Sequence, residues 1–254
     1  MPNILSCQVF FHFNKISCLL PLFWCNMFSI GGGNMNIEKT EVLRYLGYNN
    51  QNIDENTNQL LHECMTEILD IMKKNYVYDI YDIFRDENRI FLKNTTLTTQ
   101  SKDLCHHLQK SDKCVIMAAS LGLEVDQRIA YYSKTHMTKS IVLDACASTA
   151  IEALCDHIEE EISKKAEKEG YYMTPRYSPG YGDLPMTLQK EIAKVLKTYS
   201  KIGLTVNESN LLLPRKSVTA FIGWQKEKTD DPVDKCSTCQ KENCSYRNLG
   251  RFCK

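Results

Sequence analysis

Apolar and polar residues alternate along most of this chain with periods that identify its elements. Leu61, Met65, Ile68, Leu69 and Met72 fall on one face at helical spacing, which predicts an amphipathic helix over 57–74. Tyr76 to Leu92 is rich in β-formers, and Asp86-Glu87-Asn88 stands where a hairpin would turn. Tyr76, Tyr78 and Tyr81 read as sheet-packing aromatics. Ser101 is placed to cap a helix running to Lys110. Cys114 to Ala119 is a short apolar run with the character of a buried strand, and a helix from Leu123 to Ser133 follows Gly122.

The strongest helical pattern covers 144–169. Ile151, Leu154, Ile158 and Ile162 form its apolar stripe, and Glu159, Glu160, Glu161, Lys164 and Lys165 a solvated face. Gly170 is its stop. A Pro- and Gly-rich loop spans 172–185. After it come a helix with Leu188, Ile192, Val195, Leu196 and Tyr199 on one face and two strands, Ile202–Val206 and Ser217–Trp224. Helices mix with hairpin-like strands without a regular βαβ repeat, so the fold class is α+β.

Composition narrows the function classes. Lysine plus arginine balances aspartate plus glutamate at 31 each, which argues against a nucleic-acid partner. Of the twelve cysteines, Cys64, Cys105, Cys114, Cys146 and Cys155 are scattered through predicted elements and read as small buried hydrophobes of a reducing compartment. Cys236, Cys239, Cys244 and Cys253 are instead bunched beyond a polar linker at 225–235. Closely spaced thiols of this kind can hold zinc or an iron–sulfur cluster, although the spacing matches neither common pattern. His106 and His107 are adjacent on a short helix and point apart, which makes them poor joint ligands.

Residues 1–34 break with the rest. The first thirty carry no acidic side chain, and the apolar run Ile16–Ile30 is interrupted by Pro21 and Asn26. It falls short of the roughly 20 residues a spanning helix needs, and no small-residue cleavage site follows it. Ordinary patterning begins at Met35, so 1–34 is expected to be a leader-like or non-native segment, 35–228 the folded domain and 229–254 a Cys-rich tail. No membrane partner is expected.

The loop at 172–185 concentrates the candidate chemistry. Its glycines let a ligand approach the main chain, and the fork of Arg176 matches a carboxylate. Composition alone favours a plain rigid turn. However, Arg176-x-x-x-Gly180-Tyr181-x-x-x-Pro185 resembles the Arg-x-x-x-Gly-Tyr-Pro-Ala-Cys-Pro signature of the cobalamin-dependent methionine synthase reactivation domain. Ile151-Glu152-Ala153 is similar to that family's Ala-Glu-Ala helix, and the likeness extends over about 36–224 through Leu121-Gly122 and the segment 213–218. Gly182-Asp183 replaces the family's Pro-Ala, and Met186 stands where an acidic residue is usual. No residue matches the family's N-terminal aspartate that contacts the donor's amine, and Asp183 is the candidate to take over its charge.

The resemblance implies an α+β fold with a mainly antiparallel sheet in a cytoplasmic, free-standing homologue. It implies S-adenosylmethionine binding by Arg176, Gly180, Tyr181 and Glu152, with Tyr181 where the methyl donor meets the corrin. The implied function is reductive remethylation of cobalamin held by a methionine synthase or related corrinoid protein, with an electron from a donor protein. The competing reading is an iron–sulfur or zinc redox and docking module, ligated by Cys236, Cys239, Cys244 and Cys253, that does not bind S-adenosylmethionine.

Overall fold

A computed structural model describes residues 35–48, 51–86 and 89–228. In chain order these form α1 (Lys39–Tyr45), α2 (Glu55–Ile71), β1 (Asn75–Asp86), β2 (Arg89–Leu92), β3 (Thr98–Thr99), α3 (Lys102–His107) and β4 (Ser111–Ser120). There follow α4 (Leu123–Thr135), α5 (Met137–Lys168), β5 (Tyr172–Met173), α6 (Leu188–Leu196), α7 (Thr198–Ile202), β6 (Thr205–Val206), β7 (Leu212–Leu213) and β8 (Ser217–Gln225). The expected start at 35 and the Cys-rich tail, with its four candidate metal ligands, lie at or beyond the limits of the described residues.

Six strands form one antiparallel sheet in the order β3-β2-β1-β4-β8-β5, while β6 and β7 make a separate two-stranded ribbon. The central strand β4 is buried on both faces. Val115, Met117 and Ala119 point into a core with α1, α2, α4 and α5, whereas Cys114, Ile116 and Ala118 point into a second core with α3, α6 and α7. Strand alternation thus divides the molecule into helices, sheet and helices, and it explains why 114–119 reads as an unbroken apolar run. The α+β expectation holds.

Local chemistry sets most boundaries. Asp54 caps α2 by accepting from the Thr57 amide at 2.9 Å, and Ser101 caps α3 through the Leu104 amide at 3.0 Å. Gly170, at φ 71°, ends the α5 region as expected. β1 and β2 pair with Asp86 opposite Arg89, as a hairpin requires.

Four expectations need correction. The helix expected from 144 begins at Met137, because Val142 and Leu143 are already buried against the core. The helix after Ser101 stops at His107, since the chain must turn into β4. Lys197 adopts a left-handed conformation at φ 55°, which splits the helix after the loop into α6 and α7. Tyr199 therefore leaves the apolar face and is 76% exposed, and Ile202 is helical rather than the first residue of a strand.

The fourth correction concerns the face of α5 read as solvated. Glu160 and Lys164 are exposed, but Glu161 accepts from the hydroxyls of Tyr76 and Tyr78, both at 2.7 Å, and pairs with Lys165. Glu159 is partly covered as well. Among the described residues no helix is long and apolar enough to cross a membrane.

Candidate functional site

The loop from Thr174 to Thr187 is stitched to the sheet rather than lying free on it. The Thr174 amide donates to the Gly223 carbonyl at 2.9 Å, and the Gly223 amide donates back to the Thr174 hydroxyl at 2.8 Å. Tyr177 and Phe221 exchange backbone hydrogen bonds at 2.9 and 2.8 Å. Pro179 and Leu184 are buried, so the loop carries a small apolar anchor of its own.

Gly180 supplies the turn. It sits at φ 97°, and its amide donates to the Leu184 carbonyl at 2.8 Å, closing a tight loop around Tyr181. Asp183 then points away toward α3. Its carboxylate accepts from the Ser101 hydroxyl and from the amides of Lys102 at 2.7 Å and Asp103 at 3.2 Å. The Ser101 hydrogen bond, reinforced by those amides, holds the Asp183 carboxyl below the usual range. Asp183 therefore serves α3.

Arg176 carries the electrostatics of the site. Its Nη1 lies 2.9 Å from Asp156 and 3.0 Å from Glu159, and its Nη2 lies 3.1 Å from Glu152. These carboxylates recur at helical spacing along α5, so one face of that helix presents all three to the loop. The Arg176 side chain is 20% exposed. Burial opposes its charge, but Glu159, Asp156 and Glu152 outweigh that and hold its pKa above the ordinary value. Burial also raises Glu152 and Glu159, only partly offset by Arg176. One guanidinium thus faces three carboxylates, and the cluster carries surplus negative charge.

Tyr181 stands on the outer side, 61% exposed. Its ring centroid lies 6.2 Å from that of Tyr177, which in turn lies 5.0 Å from His107. His107 is fixed by the Pro175 carbonyl at 2.9 Å and the Thr174 hydroxyl at 3.0 Å. It acts as a brace for the loop.

Of the residues expected from sequence, Glu152 and Arg176 meet directly, and Gly180 and Tyr181 form the adjoining turn. Asp156, Glu159, Tyr177 and His107 were missed. Glu159 was read as part of a solvated face because its partner cation lies 17 residues further along the chain. Among the described residues no group of three or more His, Cys, Asp or Glu side chains could hold a metal ion.

The family model described as "Vitamin B12 dependent methionine synthase, activation domain" matches residues 24–248. The chain belongs to that family. In fold, this activation domain is similar to a solved structure titled "Crystal Structure of the MetH Reactivation Domain bound to AdoHcy". The TM-score is 0.58 at 16% identity, covering 74% of this chain and 74% of that one. No curated protein matches at a significant level.

Proposed function

We propose that this activation domain binds S-adenosylmethionine at the Arg176–Glu152 cluster and supports reductive remethylation of cobalamin carried by a methionine synthase or related corrinoid protein. The observation that carries this reading is the convergence of Arg176 with Glu152, Asp156 and Glu159 beside the Gly180–Tyr181 turn. Family membership and a fold neighbour whose title names AdoHcy support it.

The charges fit the donor. S-adenosylmethionine has one carboxylate, one ammonium and one sulfonium, a net charge of +1. The cluster offers one guanidinium and an excess of carboxylates. Arg176 would exchange part of its intramolecular pairing for the donor's carboxylate, which its fork can hold in two parallel hydrogen bonds. The carboxylates so released would face the donor's positive groups. Tyr181, exposed on the rigid turn, would border the methyl group and the incoming corrin. Bound on its partner, cobalamin supplies the methyl-accepting chemistry after taking up one electron, and S-adenosylhomocysteine is left behind.

This chain's own contribution is binding and orientation, with no acid or base required. The electron would come from a donor protein or from a cluster on the Cys-rich tail, and the reading places the protein in the cytoplasm.

Calorimetric titration of S-adenosylmethionine tests the proposal. Arg176→Lys keeps a cation among the three carboxylates but loses the planar fork. Loss of a charge-assisted contact worth about 1.5–3 kcal/mol should weaken binding roughly tenfold to a hundredfold. Equal affinity in Arg176→Lys and wild type would remove Arg176 from the site, and no binding by wild type would remove the proposal.

A further inference from the structure

The negative charge around Arg176 exceeds what its one guanidinium neutralises, and the excess is unevenly placed. Nη2 goes to Glu152 alone at 3.1 Å, whereas Asp156 and Glu159 share Nη1 at 2.9 and 3.0 Å. Glu152 also feels a second cation, Arg44 of α1, which favours its charged form. Among the described residues, neither Asp156 nor Glu159 has an ion pair with any cation other than Arg176. Burial raises Glu159, Arg176 only partly offsets this, and Asp156 and Glu152 raise it further. A further positive charge beside this pair would therefore be favourable.

S-adenosylmethionine and S-adenosylhomocysteine share a carboxylate and an ammonium group. They differ by one methyl and by the positive charge at sulfur. Whatever Arg176 and Glu152 contribute to the shared groups cancels when the two ligands are compared. The field of incompletely neutralised carboxylates does not cancel, because it acts on the sulfonium of the donor and finds no charge on the thioether of the product.

Resting on the donor-binding reading above, we infer that Asp156 and Glu159 are specificity-determining residues that favour the charged sulfonium donor over its neutral thioether product. In the transfer the methyl leaves without the S–C bonding pair, which stays on sulfur. The charge that the two carboxylates attract vanishes in that step, so their hold on the product weakens and release is favoured. Glu159 carries more of this than Asp156. Its side chain is 25% exposed against 67% for Asp156, whose charge is more fully screened by water.

The test is calorimetric titration of the full chain with S-adenosylmethionine, S-adenosylhomocysteine and sinefungin, which carries an ammonium group in place of the methylated sulfonium. Glu159→Gln should shift the donor-to-product affinity ratio toward the product by roughly threefold to tenfold, and Asp156→Asn by less. The sinefungin-to-product ratio should move with it. Both substitutions also release Arg176 and alter the affinity for all three ligands, which is why the ratio is the readout. In wild type the same ratio should fall as salt is raised, a measurement that needs no variant to fold. Unchanged ratios in a folded Glu159→Gln, or a loss confined to S-adenosylmethionine while sinefungin is unaffected, would overturn the inference and leave donor binding standing. Absence of S-adenosylmethionine binding by wild type would instead remove the donor-binding reading, and this inference with it.

Discussion

Gly182 sits at φ 51°, and a β-carbon there would collide with the Asp103 carboxylate and approach the Tyr177 hydroxyl to 2.6 Å. Both groups belong to the brace between the loop and α3, so neither can retreat freely. Gly182→Ala should cost at least about 1–2 kcal/mol from the left-handed backbone alone, read as a lower urea midpoint with unchanged slope. A neutral effect would mean that the turn is softer than its hydrogen bonds imply. Arg176 shows how far one residue was legible in advance. Its type identified it as a fork that matches a carboxylate, while composition alone favoured a plain rigid turn. Its burial against three α5 carboxylates was not legible, because sequence does not show which helix face a loop will meet. For that reason Arg176→Ala should lower stability as well as binding, and a melting scan of that variant checks the point.

At the scale of elements, α5 organises the molecule. Its buried stripe Ile151, Leu154, Ile158 and Ile162 packs on the sheet; one flank supplies Glu152, Asp156 and Glu159 to Arg176, and the other supplies Glu161 to Tyr76 and Tyr78. Leu154 is fully buried, so Leu154→Ala should destabilise by about 2–5 kcal/mol through lost transfer energy and the cavity left behind, measured by chemical denaturation. Glu161 gives a pH signature. Burial opposes its charge, but hydrogen bonds from Tyr78 and Tyr76 and the nearby Lys165 outweigh that and hold its pKa below the ordinary value. A lowered carboxylate pKa contributes stability above the unfolded value of about 4.3, and that stability is lost as pH falls through the folded value. The gap between wild type and Glu161→Gln should therefore be present at neutral pH and close in acid. Glu152 and Glu159 act in the opposite sense. Their raised values favour the fold at low pH, and this contribution disappears as pH rises through their folded pKa. A wild-type–Glu161→Gln gap that stays constant from neutral pH to below 4 would contradict the Glu161 assignment.

At the scale of the whole molecule, the residues of the proposed donor site are all among the described ones, while Cys236, Cys239, Cys244 and Cys253 lie outside them. The family match itself extends to residue 248. If donor binding and the tail are separate functions, a chain ending at residue 228 should bind S-adenosylmethionine with unchanged affinity, and loss of binding would make the tail part of the site. We further propose that the four thiolates hold an iron–sulfur cluster that relays the electron. Anaerobic purification should then give a brown protein containing iron and sulfide, bleached by Cys236→Ser. Stoichiometric zinc, or no metal, would rule out the relay and leave donor binding untouched.

The sequence by itself determined the longer helices and strands, the α+β class, the buried strand at 114–119 and the family signature around Arg176 and Tyr181. Each of these rests on periodicity or on residues close together in the chain. The tertiary structure decided what depends on pairing across distance. It put Arg176 against Glu152, Asp156 and Glu159, turned Asp183 to α3 and made His107 a brace for the loop. Local patterns record which face of an element is apolar. They do not record which charged face another element will meet, because that follows from the packing of both faces of the sheet at once.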